Sequence, residues 1–328
     1  MRKPDPTAPA PSSHVRSWIR RELAAAPPRA SSLIITVWGD AIAPHGGAVM
    51  LAGLIDLLAP LGINERLVRT SVFRLAREGW LAAKPVGRES LYRLTRDGAR
   101  RFEQAYRRIY EAPIVRWDES WEIVIAGRLS AGERSTLEQE LRWEGFGTLG
   151  SSVLVRPAQK PSNVGRVATA LRLAGKITVL RAFDDASLGG RTLASAVSQS
   201  WDLEGVAADY RRFIARFGGV IQRFRRASDD MHDPAQSFIV RTLLIHSYRR
   251  ALLRDPQLPA ALLPLDWPGA AAYTLCRDFY RLTHRAAERH LLATLRTDRA
   301  MLPPASPAFY RRFGGLEPRD TGVVLSPT

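Results

Sequence analysis

Between Asn64 and Gly79, six side chains with base-reading chemistry recur at helical spacing. At 100° per residue, Arg66, Arg69, Thr70, Phe73 and Arg77 share one side of a helix, with Arg74 at its edge. Leu67, Val68, Ser71, Val72, Leu75 and Ala76 share the other, which has the composition of a core face. The first stripe suits a base-pair edge. A guanidinium forks onto guanine O6 and N7, a threonine hydroxyl donates or accepts, and an aromatic ring meets a thymine methyl. One forked contact contributes ~1–3 kcal/mol of discrimination. The plain alternative is a solvated cationic face. Phe73, an apolar ring set among charges, weighs against it.

The elements that must hold this face follow from local signals. Asn64 is a good N-cap, Glu65 suits the positive end of a helix, and Gly79 is a good stop, so a helix runs from Asn64 to Glu78. Two further helices precede it, over Leu33–Asp40 and Val49–Leu58. Two short strands follow, Trp80–Ala83 and Ser90–Leu94, around Pro85-Val86-Gly87-Arg88-Glu89. Thr95 and Asp97 then open a helix to about Tyr110. Three helices and a hairpin form the winged variant of the helix-turn-helix, whose last helix before the hairpin enters the major groove. Arg88 sits at the tip of this wing, with Lys84 and Arg93 on its strands, and an arginine there suits a narrow minor groove. Asn64 to Arg101 carries ten Lys+Arg against four Asp+Glu.

That excess is part of a larger one. The 328 residues hold 48 Lys+Arg and 32 Asp+Glu, a formal charge of +16. Such a balance excludes an acidic solvating protein and favours a polyanionic partner. Only Lys3, Lys84, Lys160 and Lys176 are lysines; exchanging Lys for Arg does not alter the net charge. The single cysteine, Cys276, excludes an internal disulfide framework and a cysteine-based zinc site, and fits a reducing cytoplasm. No apolar run approaches a membrane span. Residues 1–13, rich in Pro, Ala and Ser, read as a disordered tail, and His14–Ala26 as a short basic amphipathic helix.

Past Pro113 the periodicity changes. Strand, helix, two short strands, helix and strand follow over Trp121–Ala126, Ala131–Trp143, Phe146–Val155, Asn163–Leu173 and Ile177–Phe183, the βαββαβ order of a ferredoxin-like sandwich. From Thr192 onward long helical patterns dominate, interrupted by the proline-rich Asp255–Pro268. The expected chain is α+β: tail 1–13, winged helix-turn-helix 14–112, ferredoxin-like middle domain 113–191 and mostly helical C-terminal domain 192–328.

Several motifs together resemble the PaaX family. They are Trp38-Gly39-Asp40, Gly46-Gly47, the run Glu65 to Leu75, and Glu78-Gly79-Trp80-Leu81. Arg142-Trp143-Glu144-Gly145-Phe146-Gly147 and Pro157 continue the likeness. It is densest in Leu244-Ile245-His246-Ser247-Tyr248-Arg249-Arg250, Leu253-Arg254-Asp255-Pro256 and Asp266-Trp267-Pro268-Gly269, and closes with Phe309-Tyr310 and Arg312-Phe313-Gly314-Gly315-Leu316. The resemblance implies a homodimeric repressor of phenylacetate degradation operons. It would bind an operator palindrome and leave it when an aryl acyl-CoA, phenylacetyl-CoA, binds. It also implies that the middle domain is similar to a small CRISPR-adaptation endonuclease, which uses an acidic residue after its first strand. Here Gly127-Arg128 stands there, so neither nuclease activity nor a metal is carried over.

An acyl-CoA site needs cations beside an apolar pocket. Arg249, Arg250 and Arg254 are the expected phosphate ligands, and Tyr248, Trp267 or Trp201 the expected lining of an aryl pocket. The competing reading pairs Arg249 and Arg254 with acids such as Asp255 and Asp278 and makes Trp201 and Trp267 core aromatics. His246, flanked by Leu243, Leu244 and Ile245, reads as a hydrogen-bonded core histidine, and Cys276 as a small buried hydrophobe. His284 and His290 do not share a helix face well. No hydrolase, nucleotide-binding or dinucleotide motif occurs, so no enzyme and no cofactor is expected. Two rival readings are a metal-dependent nuclease centred on the middle domain and a nucleic-acid-binding protein without a ligand switch.

Overall fold

The computed structural model describes residues 11–111, 117–159, 162–185, 192–226, 232–297 and 301–316, and within them the chain is a mixture of helices and two antiparallel sheets. It divides into two compact units. One comprises Met1–Ala112, Arg212–Arg249 and Ala271–Thr328, the other Pro113–Arg211 and Arg250–Ala270, so residues 192–328 contribute to both.

The first unit opens with α1 (Pro11–Ala25), three residues ahead of the expected start; the first ten residues of the expected tail lie outside the described residues. Val15 and Ile19 are buried on its inner face. In α2 (Ala30–Val37), Leu33, Ile34 and Val37 are buried. The helix then widens into a π-turn over Trp38–Ile42 and tightens into a 3₁₀ turn over Ala43–His45. The run expected to be helical from Val49 begins instead with a strand, β1 (Ala48–Met50), and α3 (Leu51–Leu58) follows directly. Three residues are too few for any alternation to show in a sequence; β1 exists because β3 lies alongside it.

Asn64 caps α4 (Glu65–Arg77), its side chain accepting from the Leu67 amide at 2.9 Å. The hairpin strands are β2 (Leu81–Val86) and β3 (Glu89–Leu94), longer than expected, so the connection shrinks to Gly87-Arg88. Gly87 takes φ +60°, the left-handed conformation that a two-residue hairpin turn favours. The sheet order is β1-β3-β2. Thr95 caps α5 (Arg96–Tyr110) through the Gly98 amide at 2.9 Å.

In the second unit the elements run β4 (Trp121–Ile125), α6 (Ala131–Trp143), β5 (Gly147–Thr148), β6 (Val153–Pro157), α7 (Val164–Ala170) and β7 (Thr178–Ala182), with sheet order β5-β6-β4-β7. Val124, Leu154, Leu137, Leu141 and Val164 share one apolar cluster. Trp121 and Val155 are buried in another, with Trp117 and Trp201 against them. Ser130 and Glu133 form a reciprocal capping box at the start of α6. Gly145 is required by space as well as by its φ of +90°, because a Cβ there would lie 2.7 Å from the Pro256 carbonyl oxygen.

Among the described residues, five α-helices follow: α8 (Leu193–Val197), α9 (Leu203–Arg226), α10 (Pro234–Leu252), α11 (Gly269–Thr294) and α12 (Pro307–Tyr310). Within the first unit they supply much of the core, including Phe213, Phe217, Phe238, Phe279 and Phe309, all nearly inaccessible to solvent. Cys276 on α11 is buried too, and burial pushes its thiol pKa up, as suits a small hydrophobe rather than a nucleophile.

Candidate nucleic-acid interface and effector residues

The two stripes read in the sequence separate on α4. Val68, Ser71, Val72 and Leu75 are buried. Arg66, Arg69, Thr70, Phe73, Arg74 and Arg77 are all exposed, Phe73 by 63 %. Leu67, assigned to the inner stripe, is instead 45 % exposed. It sits about 100° round the helix from Val68, at the flank of the buried stripe, where the core no longer covers it. The outer face therefore offers two apolar groups and four guanidiniums.

Two of those guanidiniums are held by neighbouring acids. Arg69 Nε donates to Glu65 Oε1 at 2.7 Å, and Arg74 lies 3.6 Å from Glu78. Both are exposed i,i+4 pairs of the kind that contribute little and exchange readily for another anion. The Thr70 hydroxyl donates to the Arg66 carbonyl at 2.8 Å, leaving its oxygen to accept. On the hairpin, Arg88 occupies the exposed turn and Lys84 is exposed on β2. Arg93, on the central strand, sits opposite Ala82 on one side and Ala48 on the other, small residues that leave it exposed.

The same unit holds a buried ionic cluster that no sequence motif marked as a site. Asp40 Oδ1 accepts from the hydroxyls of Tyr110 at 2.7 Å and Tyr280 at 3.0 Å. Arg312 donates to the Asp40 carbonyl at 2.8 Å and reaches Oδ1 at 3.2 Å, while its guanidinium lies 4.1 Å from the centre of the Tyr110 ring. Arg241 approaches Asp40 Oδ2 at 3.1 Å and donates to Glu288 at 2.8 Å. Glu288 in turn pairs with His45 at 2.8 Å. Burial alone would raise the Glu288 carboxyl; Arg241 and then His45 outweigh it and hold the pKa below the usual range. Burial drives the Tyr110 and Tyr280 hydroxyls far up, so both stay protonated and donate to Asp40. The cluster fixes the turn after α2 to α5, α10, α11 and the segment after α12. Its signal was available: Asp40 and Arg241 are charged residues inside apolar runs, where an unpaired charge is costly.

The expected effector residues fall in both units. In the first, Tyr248 is buried with its ring 5.4 Å from Phe213, and Arg249 Nη1 donates to Thr36 Oγ1 at 2.8 Å and to the Ser32 carbonyl at 3.3 Å. His246 is buried with Nδ1 2.9 Å from the same Thr36 hydroxyl, the satisfied core position expected of it. In the second, Arg250 is exposed and Arg254 pairs with Asp209 at 2.5 Å and Asp202 at 2.6 Å. Trp201 donates to the Gly145 carbonyl at 3.2 Å and borders an apolar hollow of about 330 Å³ with Leu203, Leu258, Leu262 and Pro264. Trp267 stands edge-on to Tyr210 at 6.0 Å. Among the described residues, no group of three or more His, Cys, Asp or Glu is placed to hold a metal ion, and no helix is long and apolar enough to cross a membrane.

Comparison with known proteins places the chain. Residues 29–98 match the family described as PaaX-like protein, 115–194 the PaaX protein central Cas2-like domain, and 201–293 the PaaX-like protein C-terminal domain. The chain belongs to the PaaX family. It is 34 % identical over 304 residues to the transcriptional repressor PaaX of Escherichia coli strain K12, covering 93 % of this chain and 96 % of that one. Among solved structures it is similar to the uncharacterized protein Rv0674 from Mycobacterium tuberculosis, at 26 % identity and a TM-score of 0.48, covering 80 % of this chain and 98 % of that one. The family match to 29–98 contains α4 and the hairpin, so the candidate interface lies inside it.

Proposed function

We propose that this PaaX-family chain is a ligand-responsive transcriptional repressor of a phenylacetate catabolic operon. A relative that is a transcriptional repressor makes it a regulator rather than an enzyme. In this reading residues 14–112 are a winged helix-turn-helix, 113–191 a ferredoxin-like sandwich and 192–328 a helical effector and dimer domain. The βαββαβ order and the β5-β6-β4-β7 sheet support the second of these assignments. The observation that carries the proposal is the outer face of α4, where cations alternate with the exposed Phe73 beside a hairpin tipped by Arg88. A homodimer in the cytoplasm would set two copies of α4 in successive major grooves, ~34–36 Å apart, and so read a palindrome. An aryl acyl-CoA such as phenylacetyl-CoA would favour the form that cannot span both half-sites, by ~5.5 kcal/mol for a near-complete switch.

A mobility-shift assay on the DNA upstream of ring-degrading genes tests this. The reading requires one defined palindromic footprint, lost on adding phenylacetyl-CoA. Binding that ignores every acyl-CoA removes the effector half. Cleavage of labelled nucleic acid with Mg²⁺ or Mn²⁺ would establish the nuclease alternative instead.

A further inference from the structure

Arg249 contrasts with four arginines that face carboxylates. Arg241 faces Asp40 and Glu288, Arg156 faces Glu122, Arg254 faces Asp202 and Asp209, and Arg312 faces Asp40. Arg249 is half-buried, and among the described residues no carboxylate pairs with it. Its hydrogen-bond partners are two neutral oxygens of α2, the Thr36 hydroxyl and the Ser32 carbonyl. Burial lowers its pKa, the response of a cation that lacks a counter-charge.

Thr36 is the point where α10 grips α2. Its hydroxyl lies 2.9 Å from His246 Nδ1 and 3.0 Å from the Ser32 carbonyl, and its oxygen accepts from Arg249. α2 packs directly on α4, the helix that carries the candidate base-reading face. One half-exposed guanidinium therefore holds the helix that backs the reading helix, through contacts weaker than an anion would offer. The guanidinium's bonds to neutral oxygens are already charge-assisted; a phosphate adds a full opposite charge and a bidentate geometry that those oxygens lack.

We propose that Arg249 is the switch contact, and that a phosphate group of the effector takes its guanidinium away from Thr36 and Ser32, freeing α2 and with it α4. The inference rests on the repressor reading above and adds to it which cation meets the ligand and how the operator is released. Because Arg249 serves α2 in one form and the phosphate in the other, the two sites are coupled and the coupling is reciprocal.

Thr36→Val tests this, since it keeps the shape of the side chain and removes the acceptor. Operator affinity is read by fluorescence anisotropy, and ligand affinity by calorimetry with phenylacetyl-CoA and with CoA. Thr36→Val is expected to weaken the operator about 10-fold and to tighten both ligands by about the same factor. Arg249→Gln is expected to weaken both ligands about 10-fold or more. A merely structural Thr36 lowers thermal stability and operator affinity but does not tighten the ligands, and that result overturns the proposal. A variant effect on phenylacetyl-CoA that is absent with CoA overturns the phosphate assignment. If Arg249→Gln fails to fold, the Thr36→Val result alone decides. A wild type blind to phenylacetyl-CoA refutes the repressor-release reading and this proposal with it. A wild type that responds, with variants that respond identically, refutes this proposal alone.

Discussion

Replacing Arg312 with methionine removes the guanidinium while keeping most of the side-chain volume. Several neighbouring residues lose a partner. Asp40 loses the donor to its carbonyl at 2.8 Å and the cation 3.2 Å from Oδ1. Tyr280 loses a donor at 2.5 Å, and the Gly39 carbonyl one at 3.3 Å. The Tyr110 and Phe309 rings lose the cation at 4.1 and 4.8 Å. Asp40 keeps Arg241 and two tyrosine hydroxyls, but at 2 % exposure water cannot replace what is lost. Breaking a buried pair from one side costs about 3–5 kcal/mol. For a folding unit of about 200 residues, as the extent of the first unit implies, this lowers Tm by roughly 6–20 °C. Scanning calorimetry of Arg312→Met measures it directly. Asp40→Asn in the same background completes a cycle. With the carboxylate gone, Arg312→Met costs less, and a coupling of at least about 1 kcal/mol is expected. A Tm within about 2 °C of wild type, or strict additivity of the two changes, refutes the reasoning that the cluster acts as one unit.

Arg66→Ala and Arg69→Ala should relax preference at a single base position, each costing ~1–3 kcal/mol against the best site and little against others, as binding to a library of operator variants would reveal. Arg88→Ala should weaken binding to every sequence alike and reduce the salt-dependence slope by about 1. In the second unit, Arg156→Met leaves the buried Glu122 without its cation at 2.7 Å; its unfolding, followed by the fluorescence of the neighbouring Trp121, should occur about 3–5 kcal/mol more easily. His284 is held neutral chiefly by burial, which lowers its pKa. Its folded pKa lies below its unfolded one, so stability is full above pH ~6.5 and declines as the pH falls through the folded pKa. The Tm difference between pH 7.5 and pH 5.5 should be smaller in His284→Gln than in wild type; equal differences contradict this account.

What the sequence disclosed followed the range of the forces involved. α4 was legible because its cap, its stop and its two stripes are all local, and the Asn64 side chain caps it as its position predicted. The βαββαβ succession was legible for the same reason, since each element carries its own periodicity. β1 was not, because three residues become a strand only when Arg93, Tyr92 and Leu91 lie opposite them. Leu67 escaped the stripe rule because the rule assumes a core as wide as the stripe, and here the core stops short. The ionic cluster was hidden by distance along the chain: Asp40 and Arg312 are 272 residues apart. Each shows only as a misplaced charge until folding brings them together. The effector residues were grouped by adjacency in sequence. Arg249 and Arg254, five positions apart, meet different partners, neutral oxygens of α2 for one and two aspartates for the other.

The central claim, a repressor that leaves its operator on command, is tested most directly by one titration. DNase footprinting of the purified protein on the upstream region of a ring-degradation operon is repeated with increasing phenylacetyl-CoA. The account predicts a single protected palindrome whose protection disappears as the acyl-CoA rises. Protection that persists at saturating ligand, or no discrete protected site at all, contradicts it.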